Sequence, residues 1–248
     1  GFTFIHNLLS ITGEFTTQPF ISDGVVFLFN GEIYNFKNFG DYKSDGECVI
    51  DLYKEHGKDF VFLLDGEFSI FLMDLTKDIA IIATDPFKTK PLFYSTGKNN
   101  FGCSSYRTAL DKIGHTNVKK AKPNTCSIYK ISTCEKLDEF TIHHFDLNQH
   151  KNNFEDWNVS FQQSIKKRTS NTDKKIFMGL SSGYDSGAIA CELLNQKVAF
   201  KAYSVVGRGN WKNIEDMDVL NFRHRMIKSS KFAEIQELYK SKEVREFH

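Results

Sequence analysis

The stretch Val25-Val26-Phe27-Leu28-Phe29-Asn30-Gly31-Glu32-Ile33-Tyr34-Asn35-Phe36 opens with five apolar residues in a row. Such a run, bounded by turn residues, reads as a strand buried on both faces. The strand is expected to stop at Asn30-Gly31-Glu32, where polar, small and acidic groups follow one another. That change predicts a ligand site at a strand end. Asn30 offers a side-chain amide and Gly31 an unobstructed backbone N–H, and two donors aimed at one point make an oxyanion hole. Glu32 is suited to a ligand ammonium. An Asn-Gly hairpin turn accounts for the same residues, and this stretch alone leaves both readings open.

On either side the pattern is of short strands and few helices. Ser44-Asp45-Gly46-Glu47 has the spacing of a capping box, Ser at the N-cap and Glu three residues on. A helix follows through Cys48, Val49, Leu52 and Tyr53, with Gly57 just past its end. A residue in that first turn can still face a ligand, so Asp45 is a candidate for both roles. Strands are predicted at Phe68–Met73, Ile79–Ala83, Leu92–Tyr94 and Thr125–Ile131, joined by Gly, Asp and Asn turns, which suggests antiparallel sheets. The polar run 148–153 marks a boundary between domains at 1–150 and 151–248.

The second domain opens with Trp157, Phe161 and Ile165 at helical spacing, an apolar stripe expected to pack inward. Lys166-Lys167-Arg168 closes that helix, where cations suit the dipole. Then Ile176-Phe177-Met178-Gly179-Leu180-Ser181-Ser182-Gly183-Tyr184-Asp185-Ser186-Gly187 runs from a strand through small residues into a helix carrying Ile189, Leu193 and Leu194. A helix N-terminus with Ser and Gly around it admits a phosphate closely. A capped helix after a strand is the alternative. Ala199–Val206 reads as the next parallel strand, and the tail from Asn210 as polar and helix-prone.

Composition bounds the partners. The chain has 248 residues, 40% hydrophobic and 25% charged, with 24 Phe to fill a core. A formal net charge of +1 gives no electrostatic footprint for nucleic acid. No apolar stretch is long enough to span a membrane, and no signal peptide opens the sequence. Five cysteines without C-x-x-C spacing read as reduced thiols in a cytoplasmic protein.

Seven blocks in order resemble the asparagine synthetase family of class II glutamine amidotransferases: His6-Asn7-Leu8-Leu9-Ser10-Ile11-Thr12, Gln18-Pro19, Asn30-Gly31-Glu32-Ile33-Tyr34-Asn35, Ser44-Asp45-Gly46-Glu47, Leu64-Asp65-Gly66-Glu67-Phe68, Thr84-Asp85-Pro86-Phe87 with Lys90-Pro91-Leu92, and the loop after Leu180. The resemblance implies a four-layer αββα antiparallel sandwich of α+β class. Part of an α/β doubly wound parallel sheet would follow it. It implies that glutamine is bound by Leu8, Leu9, Ser10, Ile11, Thr12, Asn30, Gly31, Glu32 and Asp45. Asn30 and Gly31 would be the oxyanion donors. It implies ATP at Leu180, Ser181, Gly183, Asp185, Ser186 and Val206, with Gly207 beside it, and Mg²⁺ at Asp185.

The family reaction adenylates a carboxylate such as aspartate and attacks it with ammonia from glutamine. Members often form homodimers. Two departures stand out. Leu8 lies where the family has an Arg suited to a carboxylate. The sequence begins at Gly1, where the family has an N-terminal Cys nucleophile upstream, its α-amine the base. The expectation is therefore a fragment, or a product without glutaminase activity. The alternatives are a β-lactam-synthetase-like adenylating enzyme and a degenerate, non-catalytic binding module.

Overall fold

The computed structural model describes residues 1–97, 100–148, 150–206 and 214–239. The chain divides into two compact units, Gly1–His150 and Lys151–His248.

The first unit is built on the strand foreseen at Val25. It runs further than expected: β1 spans Phe20–Ser22 and β2 spans Val25–Ile33. Asn30-Gly31-Glu32 therefore neither ends the strand nor turns a hairpin. These residues pair with Ser69, Phe68 and Glu67 of β3 (Gly66–Asp74). Glycine is what lets the strand continue. Gly31 has φ +148°, and a Cβ there would lie 2.0 Å from the Glu67 carbonyl oxygen. The sheet goes on through β4 (Ile79–Thr84), giving the antiparallel order β1-β2-β3-β4-β8-β9. Strands β5 (Phe93–Gly97), β6 (Asn100–Ser104) and β7 (Lys119–Lys120) form a second antiparallel sheet, order β6-β5-β7. Strands β8 (Thr125–Lys130) and β9 (Lys136–Thr141) close the first.

Strand periodicity explains why β2 is apolar throughout. Val25, Phe27, Phe29 and Ile33 face a core shared with helix α1 (Cys48–His56), including Val49, Leu52 and Tyr53. Val26 and Leu28 face the other way, with Met73 and Ala80. On that side Ile82 and Tyr129 of the first sheet pack with Tyr94 and Phe101 of the second. The Phe71–Phe101 rings stack at 5.8 Å and the Phe101–Tyr129 rings meet edge-on at 5.3 Å. Helix α2 (Arg107–Lys112) covers the outer face, its buried Leu110 against Gly102. The layers are thus helix, sheet, sheet, helix. Burying both faces of the central strands is what an unbroken apolar run requires.

The capping box forms only in part. Glu47 accepts from the Lys43 amide at 2.8 Å, but the Ser44 hydroxyl is buried without a partner, and α1 starts at Cys48. Gly57 ends the helix with φ +58°, as its spacing predicts. All five cysteines are free; Cys48, Cys126 and Cys134 are buried.

In the second unit β10 (Ile176–Gly179), β11 (Phe200–Val206) and β12 (Ala233–Tyr239) are parallel, in that order. Helices α4 (Tyr184–Asn195) and α5 (Ile214–Lys228) make the crossovers, preceded by α3 (Glu155–Thr169). Parallel neighbours need such crossovers. The polar tail therefore holds a third strand where only helix was expected. The core gathers Ile165, Leu180, Ala190, Leu193, Phe200, Ala202, Leu220 and Ile227. The stripe on α3 packs inward at one end only: Ile165 is buried, while Trp157 is 59% exposed and stacks on Phe161 at 5.2 Å. Among the described residues, no helix is long and apolar enough to cross a membrane.

Candidate functional site

In the first unit a cleft of about 140 Å³ opens against the end of β2. One wall is the irregular segment His6–Thr12, and the floor is Asn30-Gly31-Glu32 with Ser44 and Asp45. Every residue expected to hold glutamine lines it: Leu8, Leu9, Ser10, Ile11, Thr12, Asn30, Gly31, Glu32 and Asp45. The wall has no regular structure of its own. Gly13 pins it through a bridge to Ser44, and the Glu14 amide donates to the Lys43 carbonyl at 2.8 Å. A Cβ on Gly13 would meet that carbonyl at 2.2 Å.

The donors follow from strand alternation. The amides of Phe29 and Ile33 turn away from β3 and donate to Gln18 Oε1 and Asp45 Oδ2, each at 2.8 Å. Gly31 lies midway between them, so its N–H points the same way, into the cleft. Gln18, singled out by sequence only as part of a Gln-Pro pair, thus closes one end of the row and Asp45 the other. Asn30 is exposed, its amide 3.5 Å from Ser105 Oγ.

The acceptors are two carboxylates under unusual strain. Burial raises Glu32 above the ordinary carboxylate range; a Thr12 hydrogen bond and the Lys90 charge oppose this. Its Oε2 is buried without a hydrogen-bond partner. Burial pushes Asp45 up to about 7, with the neighbouring Glu32 charge adding to it and the Ile33 N–H opposing. Two buried carboxylates that resist ionisation side by side are stabilised by a cation placed between them.

Lys90, singled out by sequence only within the Lys90-Pro91-Leu92 block and given no site role, lines the same cleft. Its ammonium is 3.5 Å from Glu67 Oε2, and its carbonyl accepts from Ser69 Oγ at 2.7 Å. The loop that delivers it is organised by Asp85, 1% exposed. Its carboxylate accepts from the amides of Phe68 (3.0 Å), Phe87 (2.9 Å) and Thr89 (3.0 Å) and from the Thr89 hydroxyl (2.6 Å). Thr84-Asp85-Pro86-Phe87 is therefore architecture. So is Asn35, whose side chain bonds the Leu63 carbonyl and the Asp65 amide. Cys48 Sγ sits 3.2 Å from the Asp45 carbonyl, with its thiol pushed by burial up to about 12, a core thiol as its helix position suggested.

In the second unit Leu180, Ser181, Gly183, Asp185 and Ser186 form one turn between β10 and α4. Ser181 and Ser186 hydroxyls lie 3.0 Å apart, the Ser181 amide donates to Ser186 Oγ at 3.1 Å, and the Gly183 amide to Ser181 Oγ at 3.1 Å. The N-cap is Gly183, which brings no side-chain oxygen to the first amides of α4. Arg223 of α5 was not foreseen. It donates to the carbonyls of Ser181 (2.6 Å) and Gly183 (2.8 Å). Val206 ends β11 opposite Tyr239, and Gly207 lies outside the described residues. Asp185 is exposed in the first turn of α4. Among the described residues no group of three or more His, Cys, Asp or Glu could hold a metal.

A family model described as glutamine amidotransferase domain matches residues 1–146. The chain belongs to the glutamine amidotransferase domain family. The amidotransferase unit is similar to curated asparagine synthetases. The putative asparagine synthetase [glutamine-hydrolyzing] 1 of Methanocaldococcus jannaschii is 28% identical over 215 residues, covering 75% of this chain and 39% of that protein. The asparagine synthetase [glutamine-hydrolyzing] of Homo sapiens is 27% identical over 230 residues, covering 77% and 40%. The first unit is 150 of the 248 residues, about 60%, so the likeness runs into the second. The chain spans about two fifths of the length of these relatives. Among solved structures, the glutamine phosphoribosylpyrophosphate amidotransferase from B. subtilis, complexed with ADP and GMP, aligns over 89% of this chain and 64% of that chain, with TM-score 0.43 and 16% identity.

Proposed function

We propose that the chain is part of a glutamine-dependent amidotransferase of asparagine synthetase type. It would pass the amide nitrogen of glutamine to a carboxylate, such as that of aspartate, activated by ATP. The observation that supports this best is the cleft. It sets an amide donor pair, Asn30 and the Gly31 N–H, beside a carboxylate pair, Glu32 and Asp45. The donors suit the oxygen of a side-chain amide and of the oxyanion formed when that amide is attacked. The carboxylates suit an α-ammonium. No nucleophile is assigned: among the described residues no cysteine lines the cleft.

The turn 180–186 is proposed to hold the polyphosphate of ATP. Its uncapped helix amides and two hydroxyls fit phosphate oxygens. One exposed carboxylate, Asp185, fits a Mg²⁺ held mainly by phosphates and water. Bound there, the ion would neutralise phosphate charge; the chain's own part is to grip and orient. Arg223 fixes the two carbonyls of the turn and so holds its backbone in place.

Titration calorimetry with L-glutamine and its α-amide tests the first unit, and with Mg-ATP the second. The reading expects saturable binding in both, weakened by Asn30→Ala in the first and by Ser186→Ala in the second. A folded chain that binds neither glutamine compound overturns the glutamine assignment. One that ignores Mg-ATP overturns the nucleotide assignment.

A further inference from the structure

The charge inventory of the cleft narrows the ligand, an argument that rests on the glutamine-site reading above. Among the described lining residues there are three carboxylates, Glu14, Glu32 and Asp45, and one ammonium, Lys90. His6 also lines the cleft, and burial lowers its imidazole below the usual histidine range, which disfavours its charged form. Lys90 is already engaged: it lies 3.5 Å from Glu67 and its field acts on Glu32. The wall Leu8-Leu9-Ser10-Ile11-Thr12 carries no ionisable side chain.

An α-ammonium is well served here, because it meets Glu32, whose buried Oε2 lacks a hydrogen-bond partner, and Asp45. A free α-carboxylate on the same carbon is not. It would enter a site where Glu14 and Glu32 outnumber the Lys90 ammonium without counting Asp45, and stand against the isobutyl group of Leu8. A charge removed from water without its own partner is strongly disfavoured.

We infer that the cleft selects glutamine whose α-carboxyl is masked, a monocationic glutaminyl amide or ester with a free amino group, as in glutamine α-amide or at the amino terminus of a peptide. The side-chain amide keeps its donors at Asn30 and Gly31, the ammonium keeps Glu32 and Asp45, and a neutral carbonyl replaces the carboxylate beside Leu8.

Titration calorimetry of the chain at neutral pH with L-glutamine, L-glutamine α-amide and the dipeptide Gln-Gly tests this. The masked compounds are expected to bind on the order of tenfold more tightly than glutamine, as for one unfavourable charge contact at a partly buried site. The dipeptide arm separates a small amide from a peptide end as the source of that chemistry. In Leu8→Arg, which adds a cation to the wall, glutamine is expected to gain on the masked forms. The wild-type comparison stands alone if that variant fails to fold. Glutamine binding as tightly as both masked forms, or more so, overturns this inference and leaves the glutamine-site reading intact. A folded chain that binds none of the three overturns that reading, and this inference with it.

Discussion

Asp45→Asn isolates what the cleft costs the fold. Asp45 is 6% exposed, and burial together with the Glu32 charge lifts it from 3.8 to about 7. In the unfolded chain its acidity is ordinary. The folded state therefore holds the extra proton between those two values. Stability contributed by that proton is fully present below about pH 4 and is lost as pH rises through about 7. The full span is about 4 kcal/mol at 1.36 kcal/mol per pH unit, of which roughly 2–3 kcal/mol falls between pH 5 and pH 8. Asparagine removes the charge and keeps an oxygen to accept the Ile33 amide. Scanning calorimetry at several pH values should show the variant more stable than wild type at pH 8, by roughly 8–16 °C for a unit of this size, the full span of about 4 kcal/mol. The gap should be smaller at pH 5. Parallel melting curves across that range, or a variant less stable at pH 8, would refute the reasoning.

Gly31→Ala should cost about 3 kcal/mol or more, because its Cβ meets the Glu67 backbone at 2.0 Å in a central strand pair; the urea midpoint measures it. Tyr53→Phe removes the buried 2.9 Å bond to Asp74 Oδ2 and should lower stability by about 1–2 kcal/mol in the same titration. Arg223→Ala frees the carbonyls of Ser181 and Gly183. It should weaken Mg-ATP binding by about tenfold, roughly 1.4 kcal/mol, while leaving binding of glutamine compounds unchanged.

Sequence was most informative where local pattern and burial coincide. The run from Val25 to Phe29 is apolar because both its faces are covered, and the strand assignment needed nothing else. Its end was misplaced because Asn30-Gly31 carries a turn signal that sheet pairing overrides; only the close approach of β3 shows why the glycine is there. Strands β1, β6, β7 and β9 were missed. Asn100–Ser104 holds Gly102, which makes room for Leu110 and His115 instead of supplying a side chain. Lys136–Thr141 is an edge strand with little buried surface. Strand β12 lay in a tail read as polar; among its described side chains Ala233 and Ile235 face the core. The cleft residues came from motif likeness, and the geometry gathers them. The site roles of Lys90 and Arg223 did not, because each reaches its partners from a distant element: Lys90 through a loop folded on Asp85, Arg223 across 40 residues of chain to Gly183.

The Asp85 loop has a consequence for how a ligand would be met. Four donors from Phe68, Phe87 and Thr89 converge on one buried carboxylate, and Ser69 fastens the Lys90 carbonyl to the sheet. The backbone under the cleft's ammonium is thus part of the β3–β4 sheet in all but name. A ligand arriving there finds the lysine's anchor already rigid, and little chain entropy remains to be lost on association. Hydrogen exchange should register this as a shared rhythm: the amides of Phe68, Phe87 and Thr89 open together, as slowly as the sheet itself.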